Sequence, residues 1–234
     1  MTVQWGNLGP TLSGKTPVQK AVDWAKAHQE WVAVSGIVLV LLGVGIPYYL
    51  HSQAKQESDA QGALGLGQYY LHAQVDPKNG PFKSSAERDQ QALKTFSRIT
   101  TDYGGTSTAK LAGFYQAKCQ YDLGKYTEAY SSFEKAAQDL EKTPLGDEAH
   151  LGKILCLEAQ GQFPQAAVLA EAFLKDHPDS FLDSEMRLNL SDIYLKANNR
   201  DKALAELKQV SKNDPDSDWG KEADRRLKNL QPKG

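Results

Sequence analysis

Residues 124–136 read GKYTEAYSSFEKA, a segment that opens on a glycine, sets an aromatic two residues later and then spaces Ala129, Phe133 and Ala136 by four and three positions. That spacing lines the three apolar side chains along one face of a helix. The pattern returns along the chain, because Ala92, Ala129, Ala166 and Ala203 are separated by 37 residues each time. Four positions after each alanine stand Phe96, Phe133, Ala170 and Leu207, and seven after stand Ile99, Ala136, Phe173 and Val210. Gly124, Gly161 and Asn198 come five residues before the alanines. These residue types suit a left-handed turn that ends one helix before the next begins. Pro178 and Pro215 follow in His177-Pro178-Asp179-Ser180 and Asp214-Pro215-Asp216-Ser217, where proline stops a helix and the next cap starts. Each unit is therefore expected to be a helical hairpin that cannot bury its apolar face alone and must stack on its neighbours.

The small residue at Ala129, Ala166 and Ala203, the preceding turn glycine, the aromatics Tyr126 and Phe163 and the terminal prolines together resemble tetratricopeptide repeats. Three departures stand out: the units run 37 residues where the standard repeat has 34, Ile154 occupies a position usually glycine or alanine (Ala117 and Ser191 fit better), and Arg200 replaces the aromatic of the last unit. The longer linkers, with Asp-Pro-Asp-Ser and the ending Trp219 to Leu227, are similar to those of bacterial envelope repeat proteins such as the cell-division coordinator and the outer-membrane assembly lipoproteins. The resemblance implies an all-α superhelical solenoid within residues 51–234, with repeats near 56–103, 109–143, 147–178 and 184–215 and a closing helix at 219–230. It further implies a protein-binding role. In such stacks the first helix of each hairpin lines a concave groove, here through Phe114, Leu151 and Leu188, then Lys118, Leu155 and Asp192, then Tyr121, Glu158 and Leu195. A mixed apolar and charged lining suits an extended or amphipathic polypeptide, unless Leu155 and Leu195 belong to the core. The clamp of two lysines and two asparagines with which some tetratricopeptide domains hold a carboxyl terminus is not recognisable.

Ahead of the repeats, residues 31–50 read WVAVSGIVLVLLGVGIPYYL, twenty residues without a charge. At about 1.5 Å of rise per residue such a helix crosses a hydrocarbon core of about 30 Å. A membrane anchor is expected, with Trp31 at one interface and Tyr48 and Tyr49 at the other, each ring keeping one side in lipid and one in water. Gly36 and Gly43, together with Ser35 and Gly45, are small enough to admit a second helix, and Pro47 is expected to bend the exit. A secretory leader cleaved after Ser52-Gln53-Ala54 would have a shorter apolar core of about 7–15 residues, and a buried core helix would show a polar face. Lys15, Lys20 and Lys26 precede the stretch, whereas Lys55 follows it beside Glu57 and Asp59. By the positive-inside rule the amino end stays in the cytoplasm and the repeats cross, which in a bacterium places them in the periplasm. A cytoplasmic tail at 1–30, one inner-membrane anchor at 31–50 and a repeat domain resemble the layout of the ancillary subunit of the bacterial Sec translocon. That likeness implies a scaffold assisting protein export or envelope assembly. An accessory subunit of a stable membrane complex, using the glycine-rich helix as its contact, is the alternative.

A chain of 234 residues with 40% hydrophobic residues can hold one anchor and one soluble domain, and a net charge of -2 with pI near 6.2 gives no footprint for nucleic acid. From Pro17 to Glu30 the apolar Val18, Ala21, Val22, Trp24, Ala25 and Ala27 mix with Lys20, Asp23, Lys26 and Glu30 in a short amphipathic helix, and from about Ser52 to Val75 a further helix turns Ala60, Ala63, Leu64, Gly67, Tyr70 and Leu71 to one face. Residues 76–85, DPKNGPFKSS, read as a loop. Cys119 and Cys156 fall at equivalent positions of successive units, about 8–10 Å apart in stacked helices and so beyond disulfide reach, which makes them small core residues. His28, His51, His72, His150 and His177 are scattered, without the spacing of a helical metal site, and neither cofactor, metal, catalytic residue nor small-molecule substrate is expected.

Residues 9–16, GPTLSGKT, match the phosphate-loop pattern G-x-x-x-x-G-K-[ST], the basis of an alternative reading as a nucleotide-binding enzyme. That loop works between a buried strand and a helix packed on a parallel sheet, a context missing here. Thr16 instead suits a helix N-cap, with Pro17 at the first helical position and Gln19 completing a capping box, while residues 1–16 are otherwise expected to be poorly ordered. Lys15→Ala is expected to leave membrane insertion and function unchanged; saturable ATP binding by the wild type that this substitution abolishes would reverse that reading.

Overall fold

In a computed structural model, residues 15–230 are described, so Gly9 to Gly14 of the phosphate-loop pattern and most of the residues expected to be poorly ordered lie outside them. The chain divides at Ala54 and Lys55 into two compact units. In the first, Thr16 caps α1 (Pro17–Ala27): its Oγ1 accepts the Gln19 N–H at 3.2 Å, while Gln19 Oε1 accepts the Thr16 N–H at 2.9 Å. The helix ends short of the expected Glu30. His28 leaves helical geometry at φ -123°, stacks its ring on Trp24 at 5.0 Å, and α2 (Gln29–Val40) begins directly after it.

A π-helical turn at Leu41–Gly45 joins α2 to α3 (Ile46–His72). Its cause is local. Pro47 has no N–H to give to the Gly43 carbonyl four residues earlier, so the ladder widens there, and Ile46 donates to Leu41 five residues back. The exit of the apolar stretch is thus a widened turn ahead of Pro47, and α3 runs on through Ser52 without a break.

The second unit is a series of paired helices. α3 is followed by α4 (Ser85–Asp102), α5 (Ser107–Asp122) by α6 (Tyr126–Asp139), α7 (Pro144–Ala159) by α8 (Phe163–Asp176), α9 (Asp183–Lys196) by α10 (Arg200–Asn213), and α11 (Asp218–Leu230) closes the series. Among the described residues extended pairing amounts to one isolated bridge, Val75 with Phe82, in the loop before α4. Ala92, Ala129, Ala166 and Ala203 are all fully buried, and so within 4% are the positions four and seven residues after each. The array is therefore all-helical and repeat-like, in the 37-residue register read from the sequence.

Two small hydrogen-bonded devices recur with that period. At Gly124, Gly161 and Asn198 the backbone is left-handed, with φ of 73°, 72° and 58°. Each donates its N–H three residues back, and the next residue donates five residues back, as in Lys125 to Gln120 at 2.8 Å, Gln162 to Leu157 at 2.9 Å and Asn199 to Tyr194 at 2.7 Å. This is the Schellman arrangement, which satisfies the last carbonyls of the first helix and reverses the chain in two residues. At the other end of each hairpin stand Thr106, Thr143 and Ser217. Each hydroxyl accepts the N–H three residues ahead, at 3.0, 3.2 and 2.9 Å, and donates to the carbonyl three residues behind, at 2.8, 2.7 and 2.8 Å. Ser180 holds the same place in the third linker but gives its proton to Asp147 at 2.5 Å.

The departures from the standard repeat are absorbed locally. Ile154, bulkier than Ala117 or Ser191 in the same place, meets Ala166, Ala167 and Ala170 across the hairpin, so small residues on α8 make room for it. Arg200 starts α10, where Asn199 supplies the cap by accepting the Lys202 N–H at 3.3 Å. Cys119 and Cys156 are buried free thiols, each pushed up to about 12 chiefly by burial. Glu57 ties α3 to the start of α5 by accepting from Ser107 N at 2.9 Å, Thr108 N at 3.1 Å and the Thr108 hydroxyl, the last being the main reason its carboxyl titrates below the usual value.

A leucine at Ala166 or Ala203 would overpack the hairpin contact and cost about 1–3 kcal/mol. In a chain of neighbour-stacked units a central defect disturbs two interfaces, whereas Ala203 is followed by α11 alone. Ala166→Leu is therefore expected to lower the melting temperature of the helical signal more than Ala203→Leu; two silent substitutions would show the alanine contact to be wrongly placed.

Candidate functional site

Five of the nine expected groove residues meet in one cavity of about 460 Å³ between α5 and α7. Phe114, Lys118 and Tyr121 reach it from α5 at helical spacing, and Leu151 and Leu155 from α7 in the same way. The floor is apolar because the hairpin behind it is. Phe133 of α6 packs edge-on to Phe114 at 6.0 Å, and a methyl group at Gly152 would lie 2.6 Å from the Phe133 ring, so glycine is what lets the two helices close there. Lys118 folds back so that its Nζ lies 5.6 Å from the centre of the Phe114 ring. Tyr121 packs against Tyr126 at 5.3 Å, and burial is the main reason its hydroxyl titrates above the usual range. Asp122, at the mouth, is also raised, by burial first and then by the nearby Asp89.

The other four expected residues lie outside this cavity. Leu188 is 4% exposed and belongs to a core with Leu207, Val210 and Ala223, and Leu195 packs on the core of α7 to α10. Asp192 accepts from Arg226 Nη1 at 2.8 Å through both carboxylate oxygens, so the closing helix α11 neutralises it. Glu158 is held by Lys196 and by Asn189 Nδ2 at 3.3 Å. In that half of the array the column of first-helix residues is a set of core contacts and ion pairs.

Sequence reasoning missed several lining residues. Glu148 stands at helical spacing ahead of Leu151 and Leu155, so the α7 periodicity carried a signal for it. Phe181, Leu182 and Glu185 come from the linker and first turn leading into α9, where no period says which way a side chain points; Phe181 stays 60% exposed at the rim.

The histidines are not all scattered. Folding brings His150 and His177 to 5.2 Å between ring centres, with His177 Nδ1 3.1 Å from Asp147 Oδ1. Burial, then His177, lowers the His150 titration. Ser180 donates to the same Asp147 and not to an imidazole, so these groups clamp a linker and do not activate a nucleophile. Among the described residues no group of three His, Cys, Asp or Glu side chains is placed to hold a metal ion.

In the first unit, every residue from Trp31 to Leu50 is at least partly exposed, with Trp31 at 70%, Tyr48 at 75% and Tyr49 at 61%, and a methyl group at Gly36 or Gly43 would meet open space. The helix is long and apolar enough to cross a membrane.

Comparison with protein families gives two matches. The model of a tetratricopeptide repeat-like domain matches residues 22–171, and that of a tetratricopeptide repeat matches residues 157–221. The first begins ahead of Trp31 and takes in the whole uncharged stretch. No curated protein matches the chain.

Proposed function

The chain belongs to the tetratricopeptide repeat-like domain family, and from that premise we propose that it is a membrane-anchored scaffold which holds other proteins through its repeat unit. Tetratricopeptide-like arrays serve protein–protein interaction, and the apolar cavity between α5 and α7 is the contact surface this reading assigns. The observation that carries the anchor is the exposure of a charge-free helix over Trp31 to Leu50, since a run of exposed apolar side chains of that length is stable against lipid and not against water. Three lysines ahead of the stretch support an amino end in the cytoplasm and a repeat unit on the far side, the periplasm in a bacterium. The likeness in layout to the ancillary Sec translocon subunit supports a place beside exported or assembling polypeptides.

Two outcomes are expected. A reporter fused after Gly234 becomes active only in the exported compartment, while a tag at Met1 is shielded from external protease; an active reporter in the cytoplasm would reverse the topology. A photo-activatable residue at Leu155 cross-links to other proteins in native membranes, whereas one at the exposed Lys208 of α10 does not; equal labelling at both positions would remove the cavity as the contact surface.

A further inference from the structure

The cavity between α5 and α7 carries more than a general capacity to bind, because its lining chooses a backbone conformation and a charge. We infer that it takes the apolar face of an amphipathic helix whose flanks carry lysine or arginine, an inference that rests on the cavity being the contact surface proposed above.

The conformation follows from hydrogen bonding. The floor of Phe114, Phe133, Leu151, Leu155, Phe181 and Leu182 offers no hydrogen-bonding side chain, the polar groups of the lining being Lys118, Tyr121 and three carboxylates, and the backbone of α5 and α7 is already spent on its own helical ladders. An extended segment laid on that floor would leave the N–H and C=O groups that face it without partners, at a cost for each one that goes unmade. A helix brings its backbone bonds with it and needs only apolar contact from the floor. The α5 and α7 side chains at three- and four-residue spacing form parallel rows between which the ridge of a third helix fits. At about 460 Å³ the cavity lies within the range of sites that enclose apolar groups, roughly 300–1,000 Å³.

The charge follows from which carboxylates are paired. Asp122, Glu148 and Glu185 stand around the apolar floor, and among the described residues none of them makes a salt bridge. In the neighbouring half of the array Glu158 has Lys196 and Asp192 has Arg226, so the acidic side chains of that column are matched. The single lysine of the lining, Lys118, is drawn over the Phe114 ring. The lining therefore presents three carboxylates outside any salt bridge against the one charge of Lys118, a net negative rim around an apolar surface, which attracts cationic flanks and repels acidic ones.

The test uses the full chain in nanodiscs of zwitterionic lipid, with binding to empty discs subtracted. Two fluorescent helical peptides share a leucine face at i, i+3, i+4 and i+7, one flanked by lysines and the other by glutamates. The lysine peptide is expected to bind at least about tenfold more tightly at low salt, with the advantage shrinking as salt screens the charges. The combined variant Asp122→Asn, Glu148→Gln, Glu185→Gln is expected to remove the preference and keep the binding, and Leu155→Glu to remove both. Phe181→Glu, at a side chain already 60% exposed, is a second blocking variant that leaves core packing untouched. Equal affinity for the two peptides, with both blocked by Leu155→Glu or Phe181→Glu, overturns the charge inference and leaves the contact surface standing. No binding of either peptide, or binding that neither blocking variant weakens, overturns both. A lysine preference that survives the neutralised variant overturns the role given to the three carboxylates.

Discussion

The repeat unit depends on how closely two helices can approach at Ala92, Ala129, Ala166 and Ala203. A helix of 14 or 18 residues, such as α6 or α4, is too short to be stable in water on its own and gains its stability from the apolar stripe it buries. At each of the four crossings the buried side chain is a single methyl group. That brings the backbones close enough for the larger groups one turn on, Phe96, Phe133 and Leu207, to reach the facing helix. Where the fourth-position residue is itself small, at Ala170, Ile154 supplies the missing volume from the other side. Total volume is conserved across the contact although its distribution is not, which is the tolerance expected of packed cores.

Polar groups set direction more than stability. The salt bridges of the repeat unit lie mostly on partly exposed side chains, where pairing contributes little. Their effect is on the surface offered. Asp192 with Arg226 and Glu158 with Lys196 place ion pairs along the column leading away from the cavity, whose apolar floor lies between α5 and the start of α9.

Much of this was legible in the residues, and the limit has a physical form. Whatever is fixed by neighbours within one turn of helix or one turn of chain could be read: the Thr16 capping box, the left-handed positions at Gly124, Gly161 and Asn198, the buried register of the alanines. The uninterrupted run of α3 through Ser52 was missed because no breaker marks either answer there. Whatever is fixed by groups far apart in sequence could not be read. Arg226 lies 34 residues from the Asp192 it pairs with, His150 of α7 meets His177 at the end of α8 with the Phe173 ring against both, and Phe181 is aimed by a linker with no period. How open each first helix is depends likewise on distant groups, since Arg226 of α11 and Lys196 reach Asp192 and Glu158 from 34 and 38 residues away.

A hydroxyl recurs at Thr106, Thr143, Ser180 and Ser217, 37 residues apart, and at three of the four, Ser180 excepted, it closes the same cap on the next helix. A gene segment encoding one whole period could be lost or duplicated and the new junction would still join a helix end to a fitting cap and a fitting alanine face. A segment that is not a whole number of periods would break the register of turn, cap and alanine face. The register thus makes one hairpin the unit in which such an array can lengthen or shorten the surface it offers without a new fold.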